Sequence, residues 1–387
     1  MAPRARVESR LPQVRKSRGI SAADLARRVG VSRQTVYAIE AGTYVPNTEV
    51  ALRLSRELEV SVDDLFALPL ASPGVLEPLN GEVLGAVPSE GQAVRVCRVD
   101  GKWVGVPVSA SPYYLPEADG IVKRRAGGRI KRTGGLDSGR GKSGAELMVF
   151  AKNEAARRRL LLAGCDPAAN LLTRMVEKDT GVEIVTAAAS SRLSLTWLKE
   201  GKVHIAGSHL EDPKTGEFNL PFVRREFPSG ETIVLTFARW EEGLLTAPGN
   251  PKRLRAVEDL ARKNVRFMNR EEGSGARALL DRLLAKVGMS DRNVRGYEQV
   301  AFGHLAAAYG VLSGAADACL ATRSAAQIFG LHFIPLRSER YDFVMRRRVA
   351  ELPAVRAFLD VLQRATLRRK LEVLAGYDTS QMGRVVG

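Results

Sequence analysis

Residues 269–284, NREEGSGARALLDRLL, place a basic residue, two acids and a Gly-Ser-Gly turn immediately before an apolar-periodic helix. A helix N-terminus carries free N–H groups and a partial positive charge, so Ser274, Gly275 and the turn before them can wrap an anionic group. That chemistry suits an enzyme handling phosphates, or a protein that binds an oxyanion and reports it. Three more stretches put small polar residues between a strand and a helix: AGCDPAANLL (163–172), AAASSRLSLTWL (187–198) and VAFGHLAAAYGVLSGAADACLAT (300–322). Ligands of open parallel sheets bind at the carboxyl ends of the strands, and several such loops converging on one cleft make an anion site without a catalytic group. The candidate ligand-binding residues are Cys165, Asp166, Ser190, Ser191, Arg192, His209, Asn269, Arg270, Ser274, Gly275, Arg277 and His304. An ionised Asp166 would repel a dianion unless it were protonated or turned outward.

The catalytic alternatives are weaker. GGLDSGRGKSG (134–144) looks like a nucleotide-binding loop, but Gly141-Lys142-Ser143 requires a glycine where Leu136 stands, and no strand leads into it. His204, His209, His304 and His332 fall in neither metal nor triad spacing; each reads as structural or exposed, with His209 and His304 able to line the cleft. Cys97, Cys165 and Cys319 fit neither a disulfide framework nor a zinc site. No nucleophile–base pair stands out, and Asp317 reads as ending a turn. The expectation is a binding site without catalytic residues, metal or cofactor, in a protein that is not an enzyme.

The elements that must position these residues are of two kinds. Up to residue 68 the pattern is of short helices only, with Ser21, Ser32, Asn47 and Ser61 at N-cap positions before apolar-periodic runs. In ADLARRVGVSRQTVYAIE, Ala26 is small where two helices cross, Gly30 suits a left-handed turn, and Leu25, Val29, Val31, Val36 and Ile39 join the helices. The spacing of Ala26, Gly30 and Val36 is that of a helix-turn-helix. LASPGVLEPLNG (70–81) reads as linker, and Asp100-Gly101 within an alternating run (92–108) signals a hairpin. Residues 123–144 are basic and Gly-rich and read as a loop. Beyond about 147, short apolar strands (182–188, 203–207, 232–238, 318–322, 332–336) alternate with helices, predicting a largely parallel α/β sheet.

Bulk properties agree. A length of 387 residues suggests two or three domains at ~100–200 residues each. Hydrophobic content of 45% with 26% charged residues is that of a globular protein, and no apolar run approaches the ~20 residues that span a bilayer. The net charge of +16 favours a polyanionic partner. Without a secretory signal, a cytoplasmic protein is expected.

Residues 9–68 resemble the phage-repressor-like (XRE, Cro/C1-type) DNA-binding domain. The resemblance implies an all-α, five-helix fold whose helix from Ser32 to Glu40 enters the major groove. Arg33 would pair with guanine and Gln34 with adenine, with Ser32, Thr35 and Tyr37 on bases or phosphates. Where the family often has a phosphate-binding Gln this chain has Ala22, so phosphate anchoring shifts to Ser21, Thr43, Arg15 or Lys16. Residues of about 155–350 resemble the type II periplasmic binding protein fold, most closely the PBP-like domain fused to bacterial regulators. The resemblance rests on AGCDPAANLL, LKEGKVHIAGSHLEDPKTGEFNLPFV, NREEGSGARALLD and GLHFIPLRSERYDFV. The segment around Ser190–Ser191 is similar to a loop of molybdate-binding proteins, and Arg270–Gly275 to the loop of phosphate-binding proteins, with Glu272 at their acidic position. Cys165 and Asp166 depart from the expected Ser, Ala276 from Thr, and His204 from Asp.

Together these imply a multidomain chain: a lambda-repressor-like helix-turn-helix domain (1–70), a linker and small β-containing region with a basic loop (71–150), and an α/β, two-lobed PBP-like domain (151–387). The expected function is a one-component, ligand-responsive transcriptional regulator, a homodimer on double-stranded operator DNA with no membrane association. Its effector would be a small oxyanion or polar metabolite, molybdate- or tungstate-like or related to molybdenum cofactor. The alternative is an α/β enzyme of cofactor metabolism carrying an autoregulatory helix-turn-helix domain.

Overall fold

The computed structural model describes residues 7–67, 76–85, 89–108, 115–123, 144–150, 156 and 158–387. Most of the basic Gly-rich loop, with nearly all of the nucleotide-loop-like stretch in it, and residues 70–75 of the expected linker lie outside these residues; the linker expected over 70–81 is instead strand at 77–81. The chain groups into two compact units, Met1–Leu76 and Glu77–Gly387.

The first unit holds helices α1 (Leu11–Ser17), α2 (Ala22–Val29), α3 (Arg33–Glu40), α4 (Thr48–Leu58) and α5 (Val62–Leu65), with two short antiparallel strands, β1 (Glu8–Ser9) and β2 (Phe66–Ala67). The caps form as their residue types require: Ser21, Ser32, Asn47 and Ser61 each accept the backbone N–H three residues on. Gly30 ends α2 at φ 78°, turning the chain into α3. Leu25, Ala26, Val29, Val36 and Ile39 are buried with Leu54 and Leu58 of α4 in one cluster.

The second unit begins with a closed barrel of β3 (Glu77–Val83), β4 (Ala93–Val99), β5 (Lys102–Pro107), β6 (Gly120–Lys123) and β7 (Gly144–Val149). Asp100 and Gly101 join β4 to β5 with φ of 47° and 79°, the double left-handed turn that suits a twisted hairpin. Sequence reading finds this hairpin and misses the barrel, whose remaining strands lie on either side of a long glycine-rich insertion. Cys97, Val99, Val104 and Val106 share a buried cluster with Leu161, Ala163, Val185 and Ala187 of the α/β part. Arg95 and Arg159 both pair with Asp119 and Glu183, tying barrel and α/β part by charge.

The α/β part runs β8 (Leu160–Gly164), α6 (Ala169–Thr180), β9 (Ile184–Ala188), α7 (Ser191–Lys199), β10 (Ile205–Ser208), α8 (Leu220–Glu226) and β11 (Thr232–Thr246). It continues with β12 (Phe267–Arg270), α9 (Gly275–Lys286), β13 (Val300–Ala301), α10 (His304–Leu312), β14 (Ala318–Thr322), α11 (Arg323–Phe329) and β15 (His332–Arg346). Helices α12 (Arg347–Ala350), α13 (Pro353–Leu362) and α14 (Ala365–Ala375) follow. The sheet has eight strands in the order β13-β12-β14-β11-β15-β10-β8-β9. Strands β8, β9 and β10 are parallel in one lobe, as are β12, β13 and β14 in the other. Between them β11 and β15, 15 residues each, pair antiparallel and run through both lobes. The expectation of a largely parallel sheet therefore holds within each lobe and fails at the centre. The reason lies in the sequence: ARWEEG and RSERYD interrupt the apolar runs and conceal that each strand continues.

Candidate functional site

The side chains that face one another between the lobes come from strand ends and from the two shared strands. Cys165 follows β8 and His209 follows β10; Arg270 ends β12; His304 opens α10; Glu242 lies in β11 and Glu339 in β15. His209 is fully buried at the centre. Its Nε2 is 3.3 Å from Cys165 Sγ, and its Nδ1 is 2.6 Å from Glu339 Oε2 and 4.0 Å from Glu242 Oε1. Nδ1 of His304 is 3.6 Å from the same Glu242 oxygen. Trp240 meets the His209 ring edge-on with centroids 5.2 Å apart. Arg270 donates from Nε and Nη2 to Glu271, both at 2.9 Å. Among the described residues, Nη1 of Arg270, both carboxylate oxygens of Glu242, both ring nitrogens of His304 and Nε1 of Trp240 have no hydrogen-bond partner. Buried polar atoms are ordinarily paired, so this cluster offers unanswered donors and acceptors that a polar group or water could satisfy.

Burial sets the electrostatics. Desolvation, with the charge of Glu339, raises the Glu242 carboxyl to about 8. Desolvation also raises Asp166 to about 6, against hydrogen bonds from Tyr377 and the Ala168 N–H that favour its anion. Burial opposes the His209 imidazolium, but Cys165 and Glu339 outweigh it and hold its pKa well above the ordinary value. His304 is pushed well below by burial and by the positive charges of Arg270 and His209. Burial and the Glu339 charge thus outweigh the attraction of His209 and Arg270 and keep the proton on Glu242, and one of two neighbouring imidazoles takes the charge.

The Gly-Ser-Gly loop acts as a contact between lobes. Gly273 accepts the Arg192 N–H from α7 at 3.3 Å, and a Cβ at Gly275 would stand 2.5 Å from His209 Cε1. Ser274 caps α9, accepting the Arg277 N–H and donating to the Glu271 carbonyl at 2.8 Å. Ser191 accepts the backbone N–H of His209 at 3.1 Å, and Ser190 caps α7. The Ser274 hydroxyl is thus engaged as donor and acceptor, whereas that of Ser191 is engaged as an acceptor. Asn269 bonds the backbone at Tyr297 and Arg270. Asp166 is buried against Tyr377, while Arg192 and Arg277 stack on Phe222 and Tyr297. The fold brings Cys165, His209, Arg270 and His304 together. Glu242, Glu339 and Trp240 join them without having been singled out by sequence. Their signal is an acid, or a pair of acids, inside a strand otherwise apolar on one face.

Two chemical capacities follow. Cys165, His209 and Glu339 have the connectivity of nucleophile, base and orienting acid, which distance along the chain conceals. The groups Cys165–His209–His304 and His209–Glu242–Glu339 each place one donor atom per residue within 4.8 Å of the others. The remaining histidines are elsewhere: His204 Nδ1 accepts the Leu161 N–H, and His332 is exposed.

On the helical unit, Ser32, Arg33, Gln34 and Tyr37 are exposed along the start of α3, and Thr35 is half-buried. Arg33 lies over the Tyr37 ring and donates to its hydroxyl at 2.9 Å. Ser21 donates to Asp24, and Thr43 to the Ala38 carbonyl. Arg15, considered as a phosphate contact, is instead paired with Glu40 at 2.6 Å and 11% exposed; it braces α1 against α3.

Residues 172–363 match the family described as a PBP superfamily domain, and residues 13–65 match the helix-turn-helix family. The chain is 33% identical over 230 residues to the uncharacterized protein YvgK of Bacillus subtilis, covering 59% of this chain and 74% of that one. It belongs to the same family as that protein. It is also 44% identical over 55 residues to an uncharacterized HTH-type transcriptional regulator of Methanothermobacter thermautotrophicus, covering 14% of this chain and 80% of that one. Among solved structures, a putative phosphate ABC transporter substrate-binding protein from Clostridium perfringens aligns at 14% identity and a TM-score of 0.44, covering 57% of this chain and 98% of that chain. The protein is thus an XRE-type helix-turn-helix domain followed by a two-lobed PBP-like domain. No helix of the described residues is long and apolar enough to cross a membrane.

Proposed function

We propose that this chain is a one-component transcriptional regulator that binds operator DNA through α3 and a small polar effector between the lobes of its α/β unit. The observation that carries the reading is the buried, unanswered polar cluster of Arg270, His304, Glu242 and Trp240, in one chain with a helix-turn-helix. The effector closes the lobes about β11 and β15, and closure alters the spacing of two recognition helices in a homodimer.

For the effector, the free Nη1 of Arg270 supports an acceptor or anionic group, in keeping with an oxyanion. The Glu339 carboxylate works against a bare dianion such as molybdate or tungstate, which has no proton to offer it, whereas the protonated Glu242 can donate a hydrogen bond. The cluster fits better a ligand that presents acceptors to Arg270 and to the protonated Glu242, with donors or positive charge toward Glu339. The test is a thermal-shift screen of oxyanions, small metabolites and metal ions, followed by DNA binding with each compound that raises the melting temperature. A compound that stabilises the chain and changes its DNA affinity supports the reading; stabilising compounds that all leave DNA affinity unchanged refute it.

A second reading has one observation behind it: the Cys165–His209–Glu339 chain of contacts fits a thiol enzyme. Turnover that is lost in Cys165→Ser while ligand binding persists would favour it.

A further inference from the structure

We propose that the centre of the interlobe cleft binds a divalent transition-metal ion of the zinc class, held by Cys165 Sγ, His209 Nε2 and a ring nitrogen of His304. The inference rests on the reading of this cleft as the sensory site and names the chemistry of what enters it. Sγ of Cys165 and Nε2 of His209 are 3.3 Å apart. Ligand atoms about 2.3 and 2.0 Å from a tetrahedral zinc lie about 3.5 Å from each other, so the pair is already near its metal-bound separation. The His209 and His304 ring centroids, 5.6 Å apart with the planes tilted by 47°, suit two imidazoles converging on one ion. A donor atom of each of the three residues is within 4.8 Å of the other two.

The surroundings fit as well. Glu339 engages Nδ1 of His209 at 2.6 Å and leaves Nε2 toward Cys165, the carboxylate–histidine relation that fixes the tautomer of a metal-bound imidazole. Glu242 Oε1 is the carboxylate oxygen near His304, 3.6 Å from its Nδ1 and beyond hydrogen-bond distance. His304 is 1% and Glu242 0% exposed, and neither has a hydrogen-bond partner among the described residues. Arg270 pairs with Glu271 through Nε and Nη2, and the acids beside His209 are Glu339 and Glu242, 2.6 and 4.0 Å from its Nδ1. One thiol and two imidazoles favour zinc, cobalt, nickel or copper over magnesium or calcium.

The test is titration of the tag-free, chelator-treated full chain with Co2+. One cobalt binds per chain, with a near-ultraviolet thiolate-to-cobalt charge-transfer band and the visible bands of a four-coordinate ion; zinc displaces it. Cys165→Ser removes the charge-transfer band. His304→Gln weakens binding at least tenfold. Glu339→Gln weakens it by about 10–100-fold while keeping the band. Circular dichroism checks that each variant folds, and half-buried Cys165 also allows a readout without mutation: zinc slows its alkylation by iodoacetamide. Absence of stoichiometric cobalt binding, spectra unchanged in both Cys165→Ser and His304→Gln, or alkylation at one rate with and without zinc overturns the proposal; the last result would point to the thiol relay. The regulatory reading is separated by measuring affinity for a DNA duplex that the protein selects from a random pool. No metal binding, with DNA affinity that responds to an organic effector, removes the metal and keeps the regulator. One zinc per chain, with unchanged DNA affinity, does the reverse.

Discussion

Glu339 pairs with Trp240 across the β11–β15 ladder, and Glu242 follows two residues along β11 on the same buried face. Diagonal neighbours of this kind are within reach of long side chains, and like charges there repel. Two acids are therefore built into the strands that join the lobes. His209 engages one of them closely, and the other is left to hold a proton.

That proton makes stability depend on pH. In the unfolded chain Glu242 titrates near 4.5, whereas in the fold burial keeps it protonated to about 8. Between these values the folded chain binds more protons than the unfolded one, so stability falls as the pH rises across the window. In chelator-containing buffer, Glu242→Gln should flatten this decline by up to about 1.4 kcal/mol per pH unit. Asp166 titrates in both proteins and drops out of the difference. Urea denaturation at a series of pH values checks it; parallel stability curves would mean that Glu242 is ionised in the fold.

Closure of the lobes hangs on a missing side chain. A Cβ at Gly275 would meet His209 at Cε1 and Nδ1, both at 2.5 Å, and its carbonyl oxygen at 2.9 Å. Gly275→Ala should leave α9 intact, since alanine favours a helix start over glycine, yet hold the lobes apart. Small-angle scattering should show a larger radius of gyration. The Arg192 amide, bonded to the Gly273 carbonyl at 3.3 Å, should exchange faster. Unchanged scattering and exchange would show that the loop yields instead.

What the sequence made legible followed from periodicity and turn chemistry. The caps at Ser21, Ser32, Asn47 and Ser61, the left-handed Gly30 and the Asp100-Gly101 hairpin are local features, and local spacing reveals them. Cys165, Arg270, His209 and His304 were reachable because they flank strand–helix junctions. Glu242 and Glu339 were not, because acids inside a strand read as solvent-facing until the partner lobe covers them. Cys165 and His209 are 44 positions apart, and no motif announces their contact. The hydroxyls of Ser191 and Ser274, expected to hold an anion, also serve the fold: Ser191 accepts the His209 N–H and Ser274 donates to the Glu271 carbonyl.

The barrel allows a test of where the sensor unit begins. Leu161, Ala163, Val185 and Ala187 are buried with Cys97, Val99, Val104 and Val106. Arg159, 4% exposed, needs Asp119 and Glu183 to balance it. Removing the barrel would expose that apolar face and strip a buried guanidinium of a partner, each a costly change. A chain beginning at Glu77 should therefore unfold cooperatively near the temperature of the full-length sensor unit. One beginning at Arg158 should melt well below it or aggregate. Equal melting temperatures would make the barrel an independent module.

DNA recognition is tested at α3. Arg33 and Gln34 are exposed at its start, where a recognition helix offers its first residues to base edges. Arg33 is held over the Tyr37 ring with Nε and Nη2 on the hydroxyl oxygen at 3.2 and 2.9 Å, which limits the directions its guanidinium can take. A planar fork so oriented suits the two acceptors of guanine, and a primary amide suits the acceptor and donor of adenine. Arg33→Ala and Gln34→Ala should each weaken binding to the selected duplex by about 1–3 kcal/mol, with loss of preference at one base position apiece. Arg33→Lys keeps the charge and loses the fork, so it should lose sequence preference while retaining most of the affinity for unrelated DNA. Titrations of selected and scrambled duplexes at two salt concentrations separate these effects. Equal losses on both duplexes would make Arg33 a phosphate contact, and unchanged affinity in both alanine variants would move the DNA-binding face away from α3.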